Sequence, residues 1–98
     1  MQVNVSVRHG NLSEAAQQKI IEKVEKLARL IERVSKIDVI VELEKADHPS
    51  VDLLVSTELK KEFKSSYSSD DLYGCLDQVI DKVEQQMRKF KEKLTDHH

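Results

Sequence analysis

The length and composition of the chain allow one small globular domain. It has 98 residues, of which 39% are hydrophobic and 35% are charged, with two glycines and one proline. This balance is typical of an ordered fold rather than of a disordered or low-complexity segment. The 16 basic and 18 acidic residues give a net charge of −2. The total charge therefore gives no sign of nucleic-acid binding, and only the arrangement of the charges can.

Several classes of function find no support in the sequence. There is no secretory signal pattern and no apolar run of the roughly 20 residues that a bilayer crossing needs, so we expect a cytoplasmic protein without a membrane partner. Cys75 is the one cysteine and is expected to pack in the core. His9 and His48 fall in or beside loops, and neither is placed near Cys75 or at metal-ligand spacing. We find no glycine-rich phosphate loop or serine nucleophile motif, and so expect no enzyme, metal, cofactor or small-molecule substrate.

The first third of the chain predicts a strand and a helix. Val3, Val5 and Val7 alternate with polar residues, which is the period-two pattern of a strand with one buried face. A turn at residues 10–13 follows, with Ser13 as a helix N-cap. The apolar residues then step by three and four, which predicts a helix to about Val34. Its apolar stripe is Ala16, Ile20, Val24, Leu27 and Ile31.

The middle of the chain predicts three more strands. The alternating residues are Ile37, Val39, Val41 and Leu43 in the second strand, Val51, Leu53, Val55 and Thr57 in the third, and Phe63, Ser65 and Tyr67 in the fourth. A loop around Pro49 separates the second strand from the third. The turn before the fourth strand has no glycine, so the sequence does not fix the register of this hairpin.

A second helix is predicted after the polar run at residues 68–71, whose hydroxyl and acidic side chains suit a helix N-terminus. Its apolar stripe is Leu72, Leu76, Val79, Val83, Phe90 and Leu94. The predicted fold is therefore α+β, in the order β-α-β-β-β-α, with a four-stranded sheet and two helices packed on one of its faces. We expect a single domain over residues 1–95 and a short tail at 96–98.

The lysines of both helices are sorted by side. On the first helix, Lys19, Lys23, Lys26 and Arg33 fall on one side of the apolar stripe. On the second helix, Lys82, Lys89 and Lys93 fall on one side, while Arg88 and Lys91 share the other with Asp77 and Glu84. If the helices lie side by side, the two basic flanks merge into one phosphate-binding surface beside the groove between them. The alternative, which the pattern alone favours, is a solvated face with ion pairs within each helix.

Tyr67 and Tyr73 also leave two interpretations open. Both rings are able to stack on bases, but their positions at a strand end and in a first helical turn favour packing at the edge of the core.

Motifs along the whole chain resemble those of the ribosome hibernation promoting factors, also called ribosome-associated inhibitors or ribosomal subunit interface proteins. The matching stretches are Met1–Val5, Arg8-His9, Glu42–Lys45 with His48, Asp71–Asp77, Ile80–Lys82, and the three lysines Lys89, Lys91 and Lys93. The most diagnostic of them is the aspartate-hydrophobe-tyrosine start of the second helix. At Gln17 and Gln85, where relatives carry arginine, the sequence departs from the family pattern. Fewer phosphate contacts at these positions are expected to weaken binding.

The resemblance implies a fold similar in shape to a double-stranded-RNA-binding domain, and a function. A protein of this family would bind the small ribosomal subunit and its ribosomal RNA in the messenger and transfer RNA path, and would silence translation under stress or in stationary phase. It would be a short form or an isolated N-terminal domain, and we expect a monomer off the ribosome. The residues that the resemblance places in contact with RNA are Arg8, His9, Lys19, Lys23, Lys26, Lys82, Lys89, Lys91 and Lys93.

Two other kinds of function remain open at this point. A generic double-stranded-RNA-binding module is one, although such modules usually begin the second helix with lysines, whereas this helix begins with Ser69-Asp70-Asp71, which repels phosphate. A protein-interaction domain is the other, using the open face of the sheet, where Ile40 and Leu54 form a small apolar patch.

Overall fold

The computed structural model describes residues 1–30 and 33–95, with side chains up to residue 91. The strands are β1 (Gln2–Arg8), β2 (Val34–Glu42), β3 (Ser50–Thr57) and β4 (Glu62–Ser68), and the helices are α1 (Glu14–Glu25), a short 3₁₀ helix (Lys26–Arg29) and α2 (Leu72–Thr95). Among the described residues, neither α-helix combines the length and the apolar character that a membrane span requires.

The four strands form one sheet in the order β1-β2-β3-β4. β1 and β2 are parallel, and α1 makes the crossover between them, whereas β2, β3 and β4 are joined as antiparallel neighbours. This order confirms the predicted β-α-β-β-β-α fold. Because β1 and β4 both run towards the end of the sheet where the helices start, α1 and α2 are parallel.

The core lies between the sheet and the two helices. Alternate residues of the central strands, including Ile37, Val39 and Leu53, are almost completely buried, as are Ile20 of α1 and Val83 of α2. Each such side chain contributes about 1.5–3 kcal/mol when it leaves water. Burial on a single face confirms that both helices cover the same side of the sheet and leave the other side open.

The first helix ends earlier than the sequence predicts. α1 stops at Glu25 and tightens into the 3₁₀ helix, and Val34 is the first residue of β2, paired with Thr57. Arg33 adopts a left-handed φ of 71° and its carbonyl accepts a bond from the Glu58 amide (2.9 Å), so the chain turns here into the sheet. The predicted end at Val34 is wrong because this valine, although spaced like a helical core residue, is buried from a strand. The stripe residue Ile31 lies outside the described residues.

The β3–β4 hairpin is held by a side chain instead of a glycine. The Thr57 hydroxyl donates to the Lys61 carbonyl (3.0 Å) and accepts from the Lys61 amide (3.2 Å). Lys60 supplies the left-handed turn residue, with φ of 60°. The resulting register pairs Val55 with Phe63, so both face the core.

The second helix starts as predicted. The Ser69 hydroxyl accepts from the Asp71 amide (3.2 Å), and the Asp71 carbonyl accepts the first bond of the helix, from the Cys75 amide (2.9 Å). Cys75 is fully buried, and its thiol donates to the Pro49 carbonyl at 3.6 Å. The cysteine is therefore a packing residue that ties α2 to the loop before β3.

Candidate nucleic-acid interface

The basic flank of α1, which we define as Lys19 and Lys23 of α1 with Lys26 of the 3₁₀ helix that follows it, faces the start of α2. Lys23 Nζ forms an ion pair with Asp77 Oδ1 at 2.8 Å. Lys19 Nζ lies 4.7 Å from the centre of the Tyr73 ring. Lys26 is exposed one turn further along. Two of the three lysines thus already have partners on α2.

The basic flank of α2 faces the other way, towards the edge strand β4. Lys82 Nζ donates to the Ser66 carbonyl at 3.4 Å, and Gln86 Nε2, one turn on, donates to the Lys64 carbonyl at 2.8 Å. Lys89 lines a small cavity beside the start of β4. We call the face formed by Lys82, Gln86 and Lys89 the outer flank of α2.

The two basic flanks therefore do not merge beside the helix groove, and that part of the sequence prediction is wrong. At 100° per residue, the side of α2 that carries Tyr73 and Asp77 is the side that meets α1. Lys82 and Lys89 project from the opposite side, over β4. The candidate lysines of these two flanks therefore form two separate basic surfaces.

The inner side of α2 carries mixed charge, as the sequence predicts. Arg88 Nε lies 3.8 Å from Glu84 Oε2, one turn away on the same helix. Lys91 is exposed. The backbone of Lys93 belongs to α2, but its side chain lies outside the described part of the chain.

Arg8 and His9 lie at the end of β1, beside acidic residues. His9 Nδ1 is 2.6 Å from Glu42 Oε2, and Arg8 is paired in register with Glu42. The hydrogen bond to the Glu42 carboxylate, together with the negative charge of that group, raises the pKa of His9. The same hydrogen bond lowers the pKa of Glu42. The pair thus favours the charged form of both side chains at this corner.

The same corner contains a group of potential metal ligands. The ligand atoms of His9, Glu42 and Glu44 lie within 4.8 Å of one another. Glu42 Oε2 is already bonded to His9 and to the Glu44 amide (3.2 Å). This arrangement is an ion pair between His9 and Glu42 in which the Glu44 backbone amide also bonds to the Glu42 carboxylate.

The two glutamines at which the sequence is expected to depart from the family pattern, Gln17 and Gln85, make local bonds. Gln17 Nε2 donates to the Leu12 carbonyl (3.1 Å), which holds the loop before α1. Gln85 Nε2 donates to Asp81 Oδ2 (2.9 Å) on the exposed side of α2.

The sequence predicts neither the exposure of Tyr67 nor the position of Lys61 near an aromatic ring. Tyr67 is 37% exposed, and Lys82 Nζ lies 5.0 Å from the centre of its ring. Lys61 Nζ lies 5.9 Å from the centre of the Phe90 ring. Tyr67 and the buried Phe63 lie on the same face of β4, so the alternating pattern favours a packed Tyr67. The ring is exposed because Tyr67 lies close to the end of the strand.

The open face of the sheet has a shallow depression of about 470 Å³. Ile40 and Leu54 line it together with Asp38, Asp52 and Lys64. Both apolar residues are half-buried, so the apolar patch expected from the sequence is present but small.

Comparisons with known proteins agree with this architecture. Residues 3–95 match the family described as "Sigma 54 modulation protein / S30EA ribosomal protein". The chain is 30% identical over 97 residues to the ribosome hibernation promoting factor of Escherichia coli K12, and the match covers 99% of this chain and 100% of that one.

Two solved structures share the fold. A ribosomal subunit interface protein from Coxiella burnetii superposes with a TM-score of 0.75 at 26% identity, over 93% of this chain and 98% of that chain. The N-terminal domain of Protein Y from Thermus thermophilus gives a TM-score of 0.80 at 19% identity, over 92% and 99% of the two chains. From the match over nearly all of its length, the chain belongs to the sigma 54 modulation protein / S30EA ribosomal protein family.

Proposed function

We propose that this protein is a non-enzymatic ribosome hibernation factor that binds the small ribosomal subunit and inhibits translation. The observation that carries the proposal is the match to a ribosome hibernation promoting factor over the full length of both chains. The likeness to a ribosomal subunit interface protein supports the same role. The bound position would be the path of messenger and transfer RNA, and the protein would act in the cytoplasm during stress or stationary phase.

The two basic surfaces supply the physical basis of binding. The flank of α1 (Lys19, Lys23, Lys26) and the outer flank of α2 present ammonium groups that can replace the counterions of RNA phosphates. Such contacts fix position and orientation without reading sequence. Because the surfaces lie on separate sides of the helical layer, they would contact two separate RNA segments rather than one. Arg8 and His9 would contribute a third, weaker contact beside Glu42.

A monomer fits this mode of binding. Within the described side chains, the apolar stripes of both helices pack against one sheet, as Val24 and Val79 illustrate. The helical layer thus presents mainly charged side chains to a partner, which suits RNA better than a second protein subunit.

The test is sedimentation of the purified protein with separated ribosomal subunits, followed by translation of a reporter message in an extract. We expect pelleting with small subunits and a dose-dependent loss of translation. Binding to large subunits alone, or full translation at saturating protein, would reject the proposal.

A second candidate function is protein binding at the open sheet face, which the depression around Ile40 and Leu54 favours. Introducing a charge at the centre of this face by Leu54→Lys separates the two proposals. We expect the variant to bind ribosomes as the wild type does, and a selective loss of binding would favour the sheet face instead.

A further inference from the structure

The seam between β4 and the outer flank of α2 contains a row of aromatic rings and cationic groups. From one end to the other it comprises Tyr67, Lys82, Gln86, Lys89, Phe90 and Lys61. We call this row the β4–α2 track. It faces away from α1, and the phosphate contacts proposed above involve only its lysines.

At one end of the track, an aromatic ring lies open to solvent beside a lysine. Tyr67 is 37% exposed, although Phe63, four residues earlier on the same face of β4, is almost completely buried. Lys82 Nζ lies over the ring, 5.0 Å from its centre, and also donates to the Ser66 carbonyl at 3.4 Å. A solvent-exposed aromatic ring with a lysine ammonium at its surface has the two groups that bind a base and its phosphate.

At the other end, a second ring borders a cavity. The Phe90 ring is held edge-to-face against Phe63, with 5.6 Å between ring centres and 69° between the planes. The cavity has a volume of about 260 Å³ and is lined by both rings together with Lys61, Glu62, Gln86 and Lys89. The buried Phe63 ring thus fixes the orientation of a half-buried aromatic surface that is flanked by two cations and one carboxylate.

The spacing of the cations suits a short stretch of one strand. Lys82 and Lys89 are seven residues apart on α2, which corresponds to about 10 Å along the helix axis. A stacked nucleic-acid strand advances about 3.4 Å per nucleotide, so this distance spans roughly three steps. A double helix buries the faces of its bases, and an aromatic ring reaches them only where the strand is unpaired.

We propose that the β4–α2 track binds single-stranded RNA, with bases stacked on Tyr67 and Phe90 and phosphates held by Lys82, Lys89 and Lys61. This inference deepens the proposed function and rests on it, since it names the form of RNA that the outer flank of α2 recognises. Gln86 lies between the two stacking positions. Its side chain donates to the Lys64 carbonyl, and so satisfies a backbone acceptor of the edge strand β4.

The test is a titration of the protein with the single-stranded tetranucleotide AAAA, followed by nuclear magnetic resonance. The chain has two tyrosines, two phenylalanines and no tryptophan, so each ring can be followed separately. The ring signals of Tyr67 and Phe90 are expected to shift as adenine stacks on them, while those of Tyr73, which lies beside Lys19 near α1, stay in place. A duplex RNA of the same charge is expected to leave all of these rings unshifted.

Substitutions make the test quantitative. Tyr67→Leu and Phe90→Leu should each weaken tetranucleotide binding by roughly 5- to 100-fold, the range expected for one stacked base. Tyr67→Phe and Phe90→Tyr keep a ring and should retain binding, which separates stacking from packing. Tyr73→Leu is the matched control, because it removes an aromatic ring beside a lysine outside the track.

The outcomes separate this inference from the proposed function. Wild-type protein that pellets with small subunits but shows no shift at Tyr67 and Phe90 would overturn the track alone. Equal shifts at Tyr73, or stronger binding of the duplex, would overturn it too. Wild-type protein that fails to pellet would reject the proposed function, on which the inference rests.

Discussion

At the scale of single residues, the two sides of α2 make different predictions about charge reversal. Lys82 and Lys89 belong to the outer flank, whereas Arg88 is paired with Glu84 on the opposite side. Replacing both lysines with glutamate should abolish pelleting with small subunits, because it places negative charge against RNA phosphates. Arg88→Glu should change pelleting little, since Arg88 lies on the side of α2 opposite the outer flank, in an exposed ion pair with Glu84.

The folded state provides the control for this comparison. All three side chains are exposed, so each variant should keep its unfolding free energy within about 0.5 kcal/mol of the wild type. If the double reversal still pellets and still inhibits translation at an unchanged melting temperature, the outer flank of α2 is not the contact surface.

The His9–Glu42 pair predicts a pH dependence of its own. The pKa of His9 is raised in the folded chain, so the pair stabilises the fold below the unfolded imidazole value of about 6.5, and this contribution is lost as the pH rises through the raised pKa. The pKa of Glu42 is lowered in the folded chain, so the stabilisation by its carboxylate is lost as the pH falls through the lowered pKa. A proton titration of His9 by nuclear magnetic resonance should therefore give a lower pKa in Glu42→Gln. An unchanged pKa would show that the pair does not form in solution.

At the scale of elements, the β3–β4 hairpin depends on one hydroxyl. Thr57 is 7% exposed, and its Oγ1 both donates to and accepts from the backbone of Lys61. Thr57→Val keeps the shape but removes the partner of the Lys61 amide, while the Lys61 carbonyl still accepts from the Thr57 amide (3.0 Å). The loss should lower the unfolding free energy in urea by about 0.5–1.5 kcal/mol. Thr57→Ser keeps the hydroxyl and should cost less. Equal losses in the two variants would assign the effect to packing rather than to hydrogen bonding.

The same elements show which features the sequence predicts and which it does not. Period-two alternation places β1 to β4, because each strand buries one face, as at Val39 and Leu53. The end of α1 is missed because Val34 has the spacing of a helical residue, and only the turn at Arg33 assigns it to β2. The sides of α2 are predicted correctly. The helical period assigns residues to the sides of one helix, but it does not show which side meets α1, because that depends on tertiary packing.

At the scale of the whole molecule, a net charge of −2 coexists with two separate basic surfaces. Several acidic side chains lie elsewhere, such as Glu42 and Glu44 at the end of β2, and Asp38 and Asp52 on the open sheet face, although Asp77 is paired with Lys23. Binding to RNA would then depend on the orientation of the domain, with the helical layer towards the phosphates. This arrangement predicts strong dependence on salt in spite of the negative total charge.

The salt dependence of small-subunit binding is the most direct test of RNA binding by the outer flank of α2. The slope of log affinity against log salt concentration should be negative, and Lys82→Gln with Lys89→Gln should make it shallower by about 2, roughly one unit for each phosphate that is no longer neutralised. Arg88→Gln should leave the slope unchanged. Affinity that does not fall with salt in the wild type, or a slope that the two lysine substitutions do not alter, would contradict the claim that the outer flank of α2 binds ribosomal RNA.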